Sequence, residues 1–179
     1  MKKGFTLIEM MIVVAIIAII AAIAIPSLLA ARRNSLETNA VGSCRACASA
    51  QTMFHRNDWD ADGVLSYAAD YSVLYSQLDG NNNPIALIDA AFAAAKASGA
   101  ATPKHGYIFD DMTSVDGTAM DPVDDYGLCG LPSTYGRTGY RTFIVSTNGT
   151  VFGRDQGSAG AIVTDYPADP TTSSWIIAE

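Results

Sequence analysis

Residues 1–30 read MKKGFTLIEMMIVVAIIAIIAAIAIPSLLA, and this stretch decides the fold. Residues 1–4 form a short basic leader that ends in glycine, and residues 5–31 carry a single charge, Glu9. The uncharged run at residues 10–31 is about 22 residues long, enough to cross a bilayer core of roughly 30 Å as a helix. A lone carboxylate within such a segment is costly, so Glu9 is predicted to be functional and to need a partner.

Two ordinary interpretations of this N-terminus fit poorly. A secretory signal peptide is cleaved after its apolar stretch, beside small residues, whereas the Gly4–Phe5 junction lies before the stretch. A plain signal anchor explains the length of the run and the two lysines, Lys2 and Lys3. It gives no reason for Glu9.

The string Lys3-Gly4-Phe5-Thr6-Leu7-Ile8-Glu9, followed by an apolar helix and Pro26, resembles the class III signal peptide of type IV pilins and type II secretion pseudopilins. The resemblance implies that a prepilin peptidase cuts between Gly4 and Phe5 and that Phe5 is then N-methylated. It also implies that the helix can melt near Pro26 within a filament. The N-terminus would face the cytoplasm and the remainder would lie outside.

The position of Glu9 agrees with this resemblance. After cleavage Phe5 carries a cationic amine, and Glu9 lies four residues on, on the same helix face. In a bundle of such helices the Glu9 carboxylate of one subunit can neutralise the Phe5 amine of a neighbour. The spacing also permits pairing within one chain.

The apolar segment is predicted to continue as a helix to about residue 55. Its second half is amphipathic, with a buried face that recurs at three- and four-residue steps: Leu36, Ala40, Cys44, Cys47 and Phe54. The polar positions expected to face water or neighbouring subunits are Arg33, Glu37, Arg45 and Gln51.

Shorter elements are predicted in the rest of the chain. Strands are expected at residues 65–67, 106–109 and 161–163, and helices at 71–78 and 85–98, with an acidic loop at 113–125. A hairpin is expected at residues 140–152, with Asn148-Gly149 at the turn. A long helix followed by antiparallel strands predicts an α+β, pilin-like fold in which the second half of the helix packs on a small antiparallel sheet. The predicted parts are a leader (1–4), an apolar helix (5–31), its amphipathic continuation (32–56) and a head domain (57–179).

The composition excludes several classes of function. The formal net charge of −7 argues against a surface that binds nucleic acid. His55 and His105 are far apart in sequence and no recognisable nucleophile motif accompanies them, so the chain is not expected to be an enzyme.

The three cysteines are Cys44, Cys47 and Cys129. Cys44 and Cys47 have CxxC spacing, but the following residue is Ala48, so this is not a haem-attachment motif. One further cysteine is too few for a four-cysteine zinc site. Outside the cytoplasm, a disulfide from Cys129 to Cys44 or Cys47 is predicted.

Residues 58–63, DWDADG, match the opening of a calcium loop. Position 12 of the loop is Ala69 rather than a glutamate, so this is not an EF-hand. Calcium is therefore a candidate ligand and the only candidate cofactor; the alternative is a solvated acidic turn. The ligands would be the carboxylates of Asp58, Asp60 and Asp62, a carbonyl near Val64, and Asp70.

The sequence therefore predicts a structural subunit of a type IV pilus or related filament. Its expected partners are copies of itself, the prepilin peptidase and an inner-membrane assembly platform. The precursor would reside in the inner membrane and the mature protein at the cell surface. One alternative is a type II secretion pseudopilin in a periplasmic fibre, and a second is a membrane-anchored monomeric binding domain, which would not need Glu9.

Overall fold

The computed structural model describes residues 4–59, 63–79, 81–97, 102–158 and 160–178. Helix α1, Leu7–His55, contains 49 residues and is about 74 Å long at 1.5 Å per residue. It runs through Pro26 without interruption. The long helix predicted from the sequence is confirmed, including its C-terminal end.

The head is built on a five-stranded antiparallel sheet with the order β1-β4-β5-β6-β8. The strands are β1 (Tyr107–Asp111), β4 (Gly127–Pro132), β5 (Arg141–Ser146), β6 (Phe152–Asp155) and β8 (Ile176–Ile177). A second sheet joins β2 (Ser114–Val115) to β3 (Thr118–Ala119) and, in parallel, to β7 (Asp165–Tyr166). Short helices α2 (Val73–Ser76) and α3 (Ala90–Ala93) precede the sheets, and a 3₁₀ turn spans Pro170–Ser173.

The main core lies between the second half of α1 and one face of the five-stranded sheet. Large side chains that are fully buried in it include Tyr71, Phe92, Tyr107, Phe109 and Phe143. A smaller cluster covers the opposite face of the sheet: Met112, Cys129, Ile144, Phe152, Tyr166 and Trp175. The α+β, pilin-like fold predicted from the sequence is confirmed.

The predicted helix at residues 85–98 is wrong in length. Only Ala90–Ala93 is helical, begun by the Asp89 side chain, which accepts a hydrogen bond of 2.8 Å from the Phe92 N–H. Beyond it the backbone pairs with β1, where the Phe109 N–H donates to the Ala95 carbonyl at 2.8 Å and the Ala97 N–H donates to the Phe109 carbonyl at 2.7 Å. Pairing with a sheet edge therefore overrides the helix propensity of an alanine-rich segment. Ser98 and Gly99 lie outside the described residues.

Several strand predictions also need correction. Residues 65–67 and 161–163 are not strands, the predicted helix at residues 71–78 is shorter, and the acidic loop contains β2 and β3. The hairpin is confirmed, but Ile144 is the last residue of β5 that pairs with β6, opposite Phe152, and residues 147–151 connect the two strands, more than a tight two-residue turn. Strand β4 was not predicted, because Gly127-Leu128-Cys129-Gly130 lacks the β-branched alternation by which strands are recognised.

The polar positions of the second half of α1 were predicted to face water or neighbouring subunits, but two of them are buried. Glu37 is 6% exposed and Gln51 is 1% exposed. Gln51 makes a reciprocal pair with the backbone of Ala68, at 2.9 Å in each direction. Arg45 donates to the carbonyl of Ala178 at 2.9 Å. These groups fasten the head to the helix, which periodicity alone could not indicate.

Candidate functional site: the N-terminal half-helix and its junction with the head

The first half of α1 has no partner among the described residues. Every large apolar side chain from Phe5 to Leu29 is at least 46% exposed. The segment has a mean hydropathy of 3.0 over its most apolar window, and α1 is long and apolar enough to cross a membrane. An apolar surface of this extent marks a site of membrane or protein contact.

The Gly4–Phe5 junction lies in exposed, non-helical backbone directly before α1. Thr6 is the N-cap of the helix, and Glu9 stands at its third position. Both residues predicted to flank the cleavage site are therefore sterically accessible. Residues 1–3 of the leader lie outside the described part of the chain.

Glu9 and Thr6 form a capping box. The Glu9 Oε2 atom accepts hydrogen bonds from the Thr6 N–H at 2.9 Å and the Thr6 hydroxyl at 2.7 Å. The Glu9 N–H donates back to Thr6 Oγ1 at 3.3 Å. The carboxylate is thus held at the helix N-terminus, where the helix dipole favours negative charge. The Thr-x-x-Glu spacing that signals this capping box is visible in the sequence.

Pro26 lies within the exposed half of α1. A proline has no N–H, so the carbonyl of Ala22 lacks its usual helical donor. The helix is continuous in the isolated subunit, and its predicted melting within a filament stays a prediction.

The head is locked onto α1 just beyond the apolar half. The Glu37 Oε2 atom pairs with Nε of Arg141 at 2.7 Å, and Oε1 accepts from the Tyr140 N–H at 2.8 Å. Arg33 donates to the Gly136 carbonyl at 3.1 Å, and its guanidinium lies 4.9 Å from the ring centroid of Tyr140. The exposed half-helix therefore projects from a fixed base.

A second charged cluster lies in the head. Lys96 Nζ is 2.6 Å from Asp70 Oδ2 and 2.8 Å from Asp111 Oδ2. Burial raises the pKa of Asp111 to about 6, which the hydrogen bond from Lys96 only partly opposes. For Asp70, burial is outweighed by hydrogen bonds from Lys96 and Ser72, so its pKa falls below the usual range. Sequence reasoning missed this cluster because its three members are brought together only by the fold.

The structure does not contain the predicted disulfide: Cys44, Cys47 and Cys129 are buried free thiols. Cys44 and Cys47 lie in the core under α1, whereas Cys129 belongs to the cluster on the opposite face of the sheet. The neighbouring Gly130 faces the helix, since a Cβ there would lie 3.7 Å from the Cys44 Sγ. Side chains alternate along a strand, so Cys129 points away from both helix cysteines.

We expect the three thiols to be unreactive in the folded protein. Burial raises the pKa of Cys129 to about 12, and it raises the pKa values of Cys44 and Cys47 well above the ordinary range, so almost no thiolate forms at neutral pH. Iodoacetamide should label none of them natively and all three after unfolding without reductant. Mass spectrometry of the alkylated protein measures this, and a cysteine that needs reductant before it can be labelled would restore the disulfide.

Two of the five predicted calcium ligands, Asp60 and Asp62, lie outside the described residues. Asp58 Oδ2 accepts a hydrogen bond from the Gly63 N–H at 3.0 Å. Asp70 lies instead in the cluster with Lys96, and Ser72 donates to its other oxygen at 2.7 Å. Calcium binding at Asp58, Asp60, Asp62, Val64 and Asp70 stays a prediction.

Comparison with known sequences places the chain. A model of the family described as "Protein of unknown function (DUF2950)" matches residues 27–171, and one described as "Prokaryotic N-terminal methylation motif" matches residues 1–25. The chain belongs to the DUF2950 family. The methylation motif and two curated relatives together support a type IV pilin family.

Two relatives of this DUF2950 protein are named as pilins. The segment matching "Type IV wide pilus major component PilA4" of Thermus thermophilus is 67% identical over 36 residues, 20% of this chain. The segment matching "Type IV major pilin protein PilA" of Myxococcus xanthus is 50% identical over 53 residues, 30% of this chain. The matches span 28% and 24% of the length of these relatives. The similarity to these two relatives therefore covers a short part of the chain, whereas the DUF2950 match at residues 27–171 includes most of the head.

Proposed function

We propose that this protein is a structural subunit that polymerises through the apolar half of α1 into a type IV pilus or a related filament. The observation that carries the proposal is the exposed apolar half-helix, which holds a single carboxylate four residues after an accessible Gly4–Phe5 junction. A membrane covers this surface before assembly, and other copies of the helix cover it afterwards.

Charge pairing at the helix N-terminus sets the register of assembly. In the precursor the Glu9 carboxylate is held by Thr6. Cleavage after Gly4 creates a cationic amine at Phe5, and the Glu9 carboxylate of an adjacent subunit neutralises it. In an apolar surrounding the two charges are costly apart, so subunits that add in the paired register are favoured.

The partners follow from these steps. A prepilin peptidase removes residues 1–4 and methylates Phe5, and an inner-membrane platform extracts the subunit for assembly. A surface pilus and a periplasmic secretion fibre share these steps. The location of the fibre, detected by electron microscopy of sheared cells, separates a pilin from a pseudopilin.

Gly4→Val is expected to block processing, because a branched side chain beside the scissile bond obstructs a peptidase site fitted to glycine. The protein should stay in the membrane with its leader attached, and surface fibres should be lost. Intact-mass measurement of membrane and surface fractions tests this. Gly4→Ala, the smallest change, is the matched control and should be processed at least in part. Recovery of an N-methylated Phe5 from Gly4→Val would contradict the proposed junction.

A further inference from the structure

Three arginines meet at the point where the apolar half of α1 joins the head. Arg32 and Arg33 directly follow the uncharged run, and Arg137 comes from a head loop. With Leu29 and Gly136 they line a cavity of about 230 Å³. The cavity therefore combines positive charge with an apolar residue at the end of the predicted membrane segment.

The loop that carries Arg137 is fixed against the helix. Within it the N–H groups of Arg137 and Thr138 donate to the Thr134 carbonyl at 3.2 and 2.9 Å. Gly136 has a φ of +75°, which an L side chain rarely adopts. The bond from Arg33 to the Gly136 carbonyl then anchors the loop to α1. The placement of the three arginines around one cavity is thus built by the fold.

This concentration of positive charge is not compensated within the described part of the chain. No carboxylate lines the cavity, although the protein as a whole carries a net charge of −7. Among the described residues, the side chains of Arg32 and Arg137 make no ion pair or hydrogen bond. Glu37, one turn away on α1, is already paired with Arg141. Like charges held together repel, so an anion between them would be stabilising.

We propose that this cavity binds the phosphate of an anionic phospholipid in the leaflet beside the head, before the subunit leaves the membrane. Arginine recognises phosphate with paired N–H donors, and basic pockets beside membrane helices hold lipid headgroups. Leu29 places apolar surface directly next to the arginines, where the acyl chains begin. Arg32 and Arg33 lie on the side of the membrane expected to face outward, where positive charge opposes the expected orientation of the helix. A bound phosphate would neutralise part of that charge.

The inference rests on the proposed membrane insertion of residues 10–31, but not on filament assembly. The test uses the full chain in nanodiscs of phosphatidylcholine mixed with phosphatidylglycerol, with retained lipids counted by native mass spectrometry. The variants are Arg32→Gln and Arg137→Gln, which leave the Arg33 anchor in place. Arg56→Gln, at the exposed far end of α1, is the matched control for loss of one positive charge.

We expect the wild type to retain phosphatidylglycerol in preference to phosphatidylcholine. Each cavity variant should lower that preference about fivefold, and the Arg56 variant should leave it unchanged. Equal preference in all four proteins would overturn the inference. Competition by millimolar inorganic phosphate would assign the cavity to free phosphate instead. If the cavity variants lose fibres but keep the lipid preference, the cavity contacts a neighbouring subunit instead. If the wild type does not enter nanodiscs at all, the proposed membrane insertion is wrong.

Discussion

Glu9→Gln is expected to give a protein that inserts into the membrane and loses its leader, yet forms few or no fibres. The substitution keeps a side chain that can accept hydrogen bonds from Thr6, because glutamine also serves at the third position of a capping box. It removes only the negative charge. Membrane insertion of the single subunit should therefore be at least as favourable as in the wild type, since a carboxylate in lipid is costly. What it loses is the partner for the Phe5 amine of a neighbour.

Thr6→Ala is the matched control for this experiment. It removes the hydroxyl of the capping box but leaves the Glu9 charge, at a cost of about 1 kcal/mol in helix stability. If charge pairing drives assembly, Thr6→Ala should form fibres and Glu9→Gln should not. Leader removal is followed by intact mass, and fibre number and length by electron microscopy. Fibres of normal number and length from Glu9→Gln would refute the pairing mechanism.

Lys96→Met should destabilise the head more than the loss of an exposed ion pair does. It leaves the carboxylates of Asp70 and Asp111 close together without their cation, and the Asp111 side chain is only 15% exposed. Breaking a buried ion pair typically costs 3–5 kcal/mol. Because Lys96 and Asp70 are partly exposed, we expect about 2–3 kcal/mol at pH 7. The methionine keeps the apolar stem of the side chain, so lost packing contributes little.

The pH dependence of this loss follows from the direction of the pKa shift. The pKa of Asp111 is raised in the folded state, to about 6 from an ordinary 3.8. The folded state therefore binds more protons than the unfolded state in that window, and stability attributable to this group falls as pH rises through it. Without Lys96 the pKa of Asp111 rises further, since the interactions that lower it are gone. The loss of stability in Lys96→Met relative to the wild type should thus be largest at neutral pH and smaller near pH 5.

Thermal unfolding of the full chain in detergent, followed by near-ultraviolet circular dichroism at both pH values, measures this. Lys104→Met is the matched control: its partner Asp89 is 57% exposed, so a loss of about 1 kcal/mol or less is expected. An equal loss in the two variants, or a Lys96 deficit that does not shrink on acidification, would show that the cluster does not act through the buried Asp111 charge.

The long helix, its apolar half and the position of Glu9 could be predicted from the sequence, because each depends on residues that are close together along the chain. A run of apolar residues without a break specifies a helix, and the Gly4–Phe5 junction and Glu9 are read at fixed spacings along one chain. The hairpin around Asn148-Gly149 could also be predicted, because its turn residues and strand patterns are adjacent in the sequence. Even the capping role of Thr6 was available from the spacing to Glu9.

Features that depend on contacts between distant segments could be seen only in the folded protein. The alanine-rich segment lost most of its predicted helix because Ala95 and Ala97 gain hydrogen bonds from the edge of β1, which no local propensity encodes. The Glu37 side chain can be buried because it pairs with Arg141, which lies about a hundred residues away in the sequence. Cys129 was separated from Cys44 by the alternation of side chains along a strand that the sequence did not reveal. The meeting of Arg32 and Arg33 with Arg137 likewise required the head to fold back onto α1, because a helix can place charges along its own axis but cannot bring a distant loop beside them.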